Sequence, residues 1–90
     1  MIEIVISSPQ ETLFMGSAKE LNVRTAYGDV KILPGHAEYL AEIGNGRIRI
    51  LADGRLVSGT TSGGIIYNRN NRASILLFNP YEIQTQHEHI

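Results

Sequence analysis

Three histidines, His36, His87 and His89, are the side chains of this sequence with the widest chemical reach. His87 and His89 stand at i and i+2, so an extended backbone would set both on one side. With His36 they would make three imidazoles, the donor set of a catalytic zinc with an open position, and hence of a small histidine-metal β-barrel enzyme. Against this, a chain end holds a ligand poorly, and surface histidines in a frayed tail are the commoner arrangement. Ser62 lies in "GTTSG", which is not the Gly-x-Ser-x-Gly elbow and has no strand–turn–helix pattern around it. "TTSGGI" is glycine-rich, but no Lys-Ser or Lys-Thr follows, and it leads into a β-like run rather than a helix N-terminus. Its plain reading is a strand corner. The chain has no cysteine, which excludes disulfides, thiolate metal sites and cysteine nucleophiles. No catalytic residue, cofactor site or metal site is expected from these residues.

The stretch "ILPGHAEYL", from Ile32 to Leu40, is the more informative one. Leu33-Pro34-Gly35-His36 satisfies a type II turn: Pro34 supplies the fixed φ at the second position and Gly35 the positive φ at the third. The backbone is thereby explained without a ligand, and His36 is left just behind a rigid corner. A lone histidine with no identifiable partner is more often structural or interfacial than catalytic.

The elements that must carry this corner are strands. Ile2, Ile4 and Ile6 alternate with Glu3, Val5 and Ser7; Leu21 and Val23 with Asn22 and Arg24; Ile48 and Ile50 with Arg47 and Arg49; Ala73, Ile75 and Leu77 with Arg72, Ser74 and Leu76. Period-two patterning marks strands with one buried face. Turn signals punctuate them at "SSPQ", "AYGD", "LPGH", "GNG", "ADG", "SGG" and "NRNN". "ADGR" and "YNRNNR" read as tight hairpins, since glycine and asparagine tolerate positive φ. The expected fold is all-β, a two-layer β-sandwich of about ten short strands with no helix before residue 84. Its core is expected to hold Ile4, Leu13, Val23, Ile32, Leu40, Ile48, Ile50, Ile65, Ile75 and Leu77. Thr85 and Glu88 have capping-box spacing, a signal for a helix start at the very end.

The totals agree with one small domain. Ninety residues are 42% hydrophobic and 19% charged, with a formal net charge of −1. That balance supplies no electrostatic reason to propose nucleic acid or a lipid surface as partner. No run reaches the roughly 18 apolar residues of a membrane span, and "MIEIVISSPQ" has neither the basic start nor the cleavage site of a signal peptide.

In their order, the motifs resemble the epsilon-subunit family of F-type ATP synthases, specifically its N-terminal β-sandwich domain. "IEIVISSPQETLFMGSAKELNV" is similar to the family's opening strand, Ser/Thr-Pro corner, Leu-Phe-x-Gly and second strand. "YGDVKILPGHAEYLAEIGNGRIRIL" is similar to the signature Pro-Gly-His-Ala segment followed by a Gly-x-Ile-Arg-Ile strand, and "TSGGIIYNRNNRASILL" to the Ser-Gly-Gly strand and its hairpin. The likeness covers about residues 2–78. Lys31 stands where the family commonly has glycine, and Glu38-Tyr39 where it has Pro-Leu, so the chemistry of that edge differs. A two-helix hairpin usually follows in the family. The expectation here is a sandwich over residues 1–84 and a short tail over 85–90, the stub of that hairpin. The family's inhibitory and nucleotide-binding behaviour belongs largely to those helices and is not carried over.

The resemblance implies a non-catalytic rotor subunit of the central stalk. It would dock the gamma subunit onto the polar loops of the membrane c-ring and help couple ion flow to ATP synthesis, with no direct membrane insertion and no nucleic acid. Matched by position, Tyr27, Gly28, Asp29 and Val30 are expected on the c-ring side, and Ser8 and His36 on the gamma side. The implied location is peripheral, on the cytoplasmic face of the inner membrane, or the stroma or matrix side in an organelle. A free-standing β-sandwich adaptor for another partner is the rival reading, since fold alone does not fix function.

Overall fold

In the first strand, β1 (Ile2–Ser7), the isoleucines at 2, 4 and 6 are fully buried while Glu3 is exposed, as alternation dictates. Nine more strands follow: β2 (Thr12–Ala18), β3 (Glu20–Thr25), β4 (Gly28–Ile32), β5 (Tyr39–Ile43), β6 (Gly46–Ala52), β7 (Arg55–Thr61), β8 (Gly64–Arg69), β9 (Arg72–Leu77) and β10 (Ile83–Gln86), with the same alternation plain in β6, β8 and β9. The structure is a computed structural model and describes residues 1–78, with the backbone alone for 83–86. No helix occurs among the described residues. β10 crosses the boundary expected between residues 84 and 85, and Thr85 has strand backbone; the rest of the proposed capping box, Glu88, lies outside the described residues.

The strands run in the order β10-β7-β6-β3-β5-β8-β9-β1-β2, with β4 on the free edge of β3. β3 is where the sheet folds over. Its first residues, Glu20 to Asn22, pair with β6, but Thr25 at its end pairs with Ile43 of β5. Two layers result, one around β6 and β3 and the other around β5, β8, β9 and β1, and their inner faces share one apolar core. Every neighbouring pair is antiparallel except β1 and β9, which lie parallel.

Both expected hairpins form. Ala52 pairs with Arg55 around Asp53-Gly54, and Gly54 has φ 74°. Arg69 pairs with Arg72 around Asn70 and Asn71, at φ 52° and 59°. Two successive left-handed residues define a type I′ turn, whose twist suits the strands it joins.

The core departs from expectation at three positions. Leu40 is 66% and Ile65 40% exposed, and Leu13 is only half-buried. Ala41 and Ile66 oppose one another across β5 and β8 and face the core, so their neighbours Leu40 and Ile65 must face out. Leu13 lies on β2, the edge of its layer, where one flank has no strand to cover it.

Candidate functional site

The Pro-Gly-His corner is built as expected. The His36 N–H donates to the Leu33 carbonyl at 3.0 Å, and Gly35 has φ 84°. A residue with a Cβ would be strained there, which is why glycine occupies the third position. What holds the corner in place is the β8–β9 hairpin. The Gly35 N–H donates to Asn71 Oδ1 at 2.6 Å, and Asn68 Nδ2 donates to the carbonyls of His36 and Ala37 at 3.4 and 3.2 Å. Asn68 is 1% exposed, so these bonds form in a nearly dry setting. Its Oδ1 has no hydrogen-bond partner among the described residues. The Asn71 carbonyl in turn accepts from Glu3 N–H at 2.8 Å, tying the hairpin to β1.

His36 itself is oriented by two contacts. Its Nδ1 lies 2.8 Å from the Ala37 carbonyl, and its ring meets Tyr39 edge-on at 6.0 Å. A carbonyl only accepts, so Nδ1 carries a proton and donates it there, while Nε2 faces away from that bond. Beside it, Tyr67 donates its hydroxyl to Glu38 at 2.6 Å, and Arg69 lies 3.9 Å from the same carboxylate. No group of three or more His, Asp or Glu side chains suited to a metal occurs among the described residues, and His87 and His89 lie outside them.

Ser8 is elsewhere. It is 6% exposed, and its Oγ accepts from the Gln10 and Glu11 N–H groups at 3.3 Å, closing the Ser-Pro turn. Ser7 pairs with Leu76, whereas the His36 corner is held by Asn68 near the end of β8 and Asn71 in the turn just before β9. Ser8 and His36 therefore sit at opposite ends of the strands, separated by roughly 13 Å of strand length. The two residues expected on the gamma side thus stand apart along the strands, within the width of one ordinary protein interface.

Tyr27 and Gly28 form the tip of the β3–β4 hairpin. Thr25 Oγ1 donates to the Gly28 carbonyl at 2.9 Å and accepts from Tyr27 N–H at 3.1 Å, and Tyr27 is 86% exposed. Asp29 follows on the strand, exposed and 3.7 Å from Arg24, its register partner on β3. Val30 turns inward and packs against the core. The tip lies at the same end as Ser8, because Thr25, Ile43, Gly64 and Leu77 are linked in register across the sheet.

One feature was missed by alternation. On the outer surface of β5, β8 and β9, Leu40 faces Tyr67 and Ile65 faces Leu76, with Phe78 just beyond, all exposed. A hollow of about 350 Å³ opens among Tyr27, Leu40, Glu42, Ile65 and Phe78. Contiguous exposed apolar side chains of this kind mark a surface that another molecule covers. The signal in the sequence is the doublets Ile65-Ile66 and Leu76-Leu77, strands apolar on both faces.

Comparison with known proteins agrees with this architecture. The family model described as the beta-sandwich domain of the ATP synthase Delta/Epsilon chain matches residues 1–79. The ATP synthase epsilon chain of Frankia casuarinae is 34% identical over 76 residues, covering 83% of this chain and 89% of that protein. That of Caldicellulosiruptor bescii is 30% identical over 74 residues, covering 82% of this chain but 54% of that protein, so the chain spans about half its length. A chain of the Euglena gracilis mitochondrial ATP synthase superposes with a TM-score of 0.80 at 18% identity, covering 93% of this chain and 52% of that one, a likeness of fold. With the sandwich matched over residues 1–79 and a relative 34% identical that spans most of both proteins, the chain belongs to the ATP synthase epsilon-chain family through its β-sandwich domain.

Proposed function

We propose that this chain is a non-catalytic central-stalk subunit of an F-type ATP synthase that docks the gamma subunit and meets the polar loops of the c-ring. In this way it would help couple ion flow to ATP synthesis from the cytoplasmic, stromal or matrix face of the membrane. The observation that carries the reading is the apolar outer face of β5, β8 and β9, with Leu40 66% exposed at its centre. A leucine left in water beside Ile65, Tyr67 and Phe78 is the hallmark of a surface that is buried in an assembly. This face is assigned to gamma, with His36 at one end of the same layer; the Tyr27 tip, with Gly28, Asp29 and Val30 behind it, is assigned to the ring. A β-sandwich held by strand ladders loses little freedom on docking, which suits a part that must transmit torque.

Co-purification with gamma tests the proposal. The wild-type chain should be retained. Leu40→Asp with Ile65→Asp should weaken retention by about tenfold or more, since buried apolar anchors dominate interface energy. Both residues are exposed, so the double variant should keep its β-sheet circular dichroism. Failure of the folded wild-type chain to bind gamma would favour the free-standing adaptor.

A further inference from the structure

The other layer of the sandwich carries a charged groove that stalk docking by the apolar face leaves unused. It measures about 620 Å³ and is lined by Asn22, Arg24, Asp29, Asn45, Arg47 and Arg49. In the sequence, Arg47 and Arg49 are a close pair and Arg24 is remote; pairing of Asn22 with Arg49 across β3 and β6 brings the three arginines to one groove. The groove is shaped for Arg24. A Cβ on Gly46 would come within 2.8 Å of Arg24 Cδ and 2.9 Å of its Cβ, so only glycine lets this side chain lie across the start of β6. Arg24 is 3.7 Å from Asp29, and Lys31 on the neighbouring strand is 3.7 Å from Glu20. Arg47 and Arg49 are exposed and make no ion pair or side-chain hydrogen bond among the described residues.

We propose that this groove docks an acidic segment of a protein partner, one presenting two carboxylates at the spacing of Arg47 and Arg49. Arginine is always charged and its planar fork matches a carboxylate in two-point contact. Alternate residues of a strand stand about 6.6 Å apart, the spacing of a Glu-x-Glu pair in an extended segment laid alongside β6. Two forks rooted at that backbone spacing suit two separate carboxylates better than one small anion. Asp29 stands 3.7 Å from Arg24, so its charge is set against that guanidinium, and Arg47 and Arg49 remain the cations open to the segment. The groove and the apolar face lie on different layers of the sandwich, so both can be occupied at once. Charge contacts of this exposed kind steer encounter and set register more than they hold.

The test is a nuclear magnetic resonance titration of the 15N-labelled chain with a capped Gly-Glu-Ser-Glu-Gly peptide at low salt. Saturable shifts confined to the amides of residues 22–24 and 45–49 are expected, with affinity on the order of millimolar. Arg47→Gln with Arg49→Gln should weaken binding by about fivefold and leave the remaining spectrum unchanged. Inorganic pyrophosphate is the control anion. Equal binding of pyrophosphate would make the groove a small-anion site and overturn the proposal. So would peptide binding that survives the double substitution, equal shifts around Arg55, Arg69 and Arg72, or no saturable shift. The titration contains no stalk subunit, so its failure is separate from failure to bind gamma.

Discussion

His36 is placed by its neighbours. The turn ahead of it needs a left-handed residue at 35, and the ring is fixed by the Ala37 carbonyl and Tyr39. Gly35→Ala should therefore lower stability by about 1 kcal/mol or more, because a Cβ at positive φ clashes with the following carbonyl. Urea denaturation would register this as a lower midpoint at unchanged slope; an unchanged midpoint would mean that the corner is not a type II turn. Replacing His36 with alanine removes only a half-buried ring and should change stability by about 0.5 kcal/mol or less, leaving the same midpoint nearly in place. If instead it unfolds the chain, the histidine serves the fold and not a partner. The corner's chemistry was legible in "LPGH", because proline and glycine fix φ locally. The partners of the corner were not, since Asn68 and Asn71 lie more than thirty positions away and no local rule pairs them with it.

At the scale of elements, the β8–β9 hairpin links fold and site. Its type I′ turn was readable in the asparagines of "NRNN", but the second task of Asn71, accepting from Gly35, was not. The two tasks can be separated. Asn71→Gly keeps a residue that tolerates φ 59° and deletes only the side-chain acceptor. It should cost about 0.5–1.5 kcal/mol, the net value of a hydrogen bond. Asn71→Ala should cost about 1 kcal/mol more, because left-handed strain is added. Thermal unfolding of the two variants checks the order; equal losses would mean that the acceptor alone matters. Strand existence followed directly from alternation in β1, β3, β6 and β9. Face assignment failed in β5 and β8, where Leu40 was placed inside and Ile65 was preferred over Ile66. An apolar doublet has no phase of its own. Only the register, Ala41 opposite Ile66, decides which member faces the core, and register is a property of two strands together.

Across the whole molecule, two outer surfaces obey different physics. The face of Leu40, Ile65, Tyr67, Leu76 and Phe78 is apolar, whereas the groove of Arg24, Arg47 and Arg49 is cationic beside a single carboxylate. Salt separates them, because it screens exposed charges over a Debye length of about 8–10 Å and leaves apolar burial nearly untouched. Binding to gamma through the apolar face should therefore show a clearly negative heat-capacity change, the robust mark of apolar area leaving water. Raising sodium chloride from about 0.1 to 0.5 M should change that affinity by less than about threefold. Isothermal titration calorimetry at several temperatures and two salt concentrations measures both quantities on one pair of proteins. Leu40→Asp should shrink the heat-capacity change as well as the affinity, because a buried carboxylate brings its own water or leaves its side of the interface unpacked. Arg49→Gln, on the other layer, should change neither. A heat-capacity change near zero, or an affinity that collapses with salt, would mean that gamma is held by charge and that the exposed leucine and aromatics answer to a different partner.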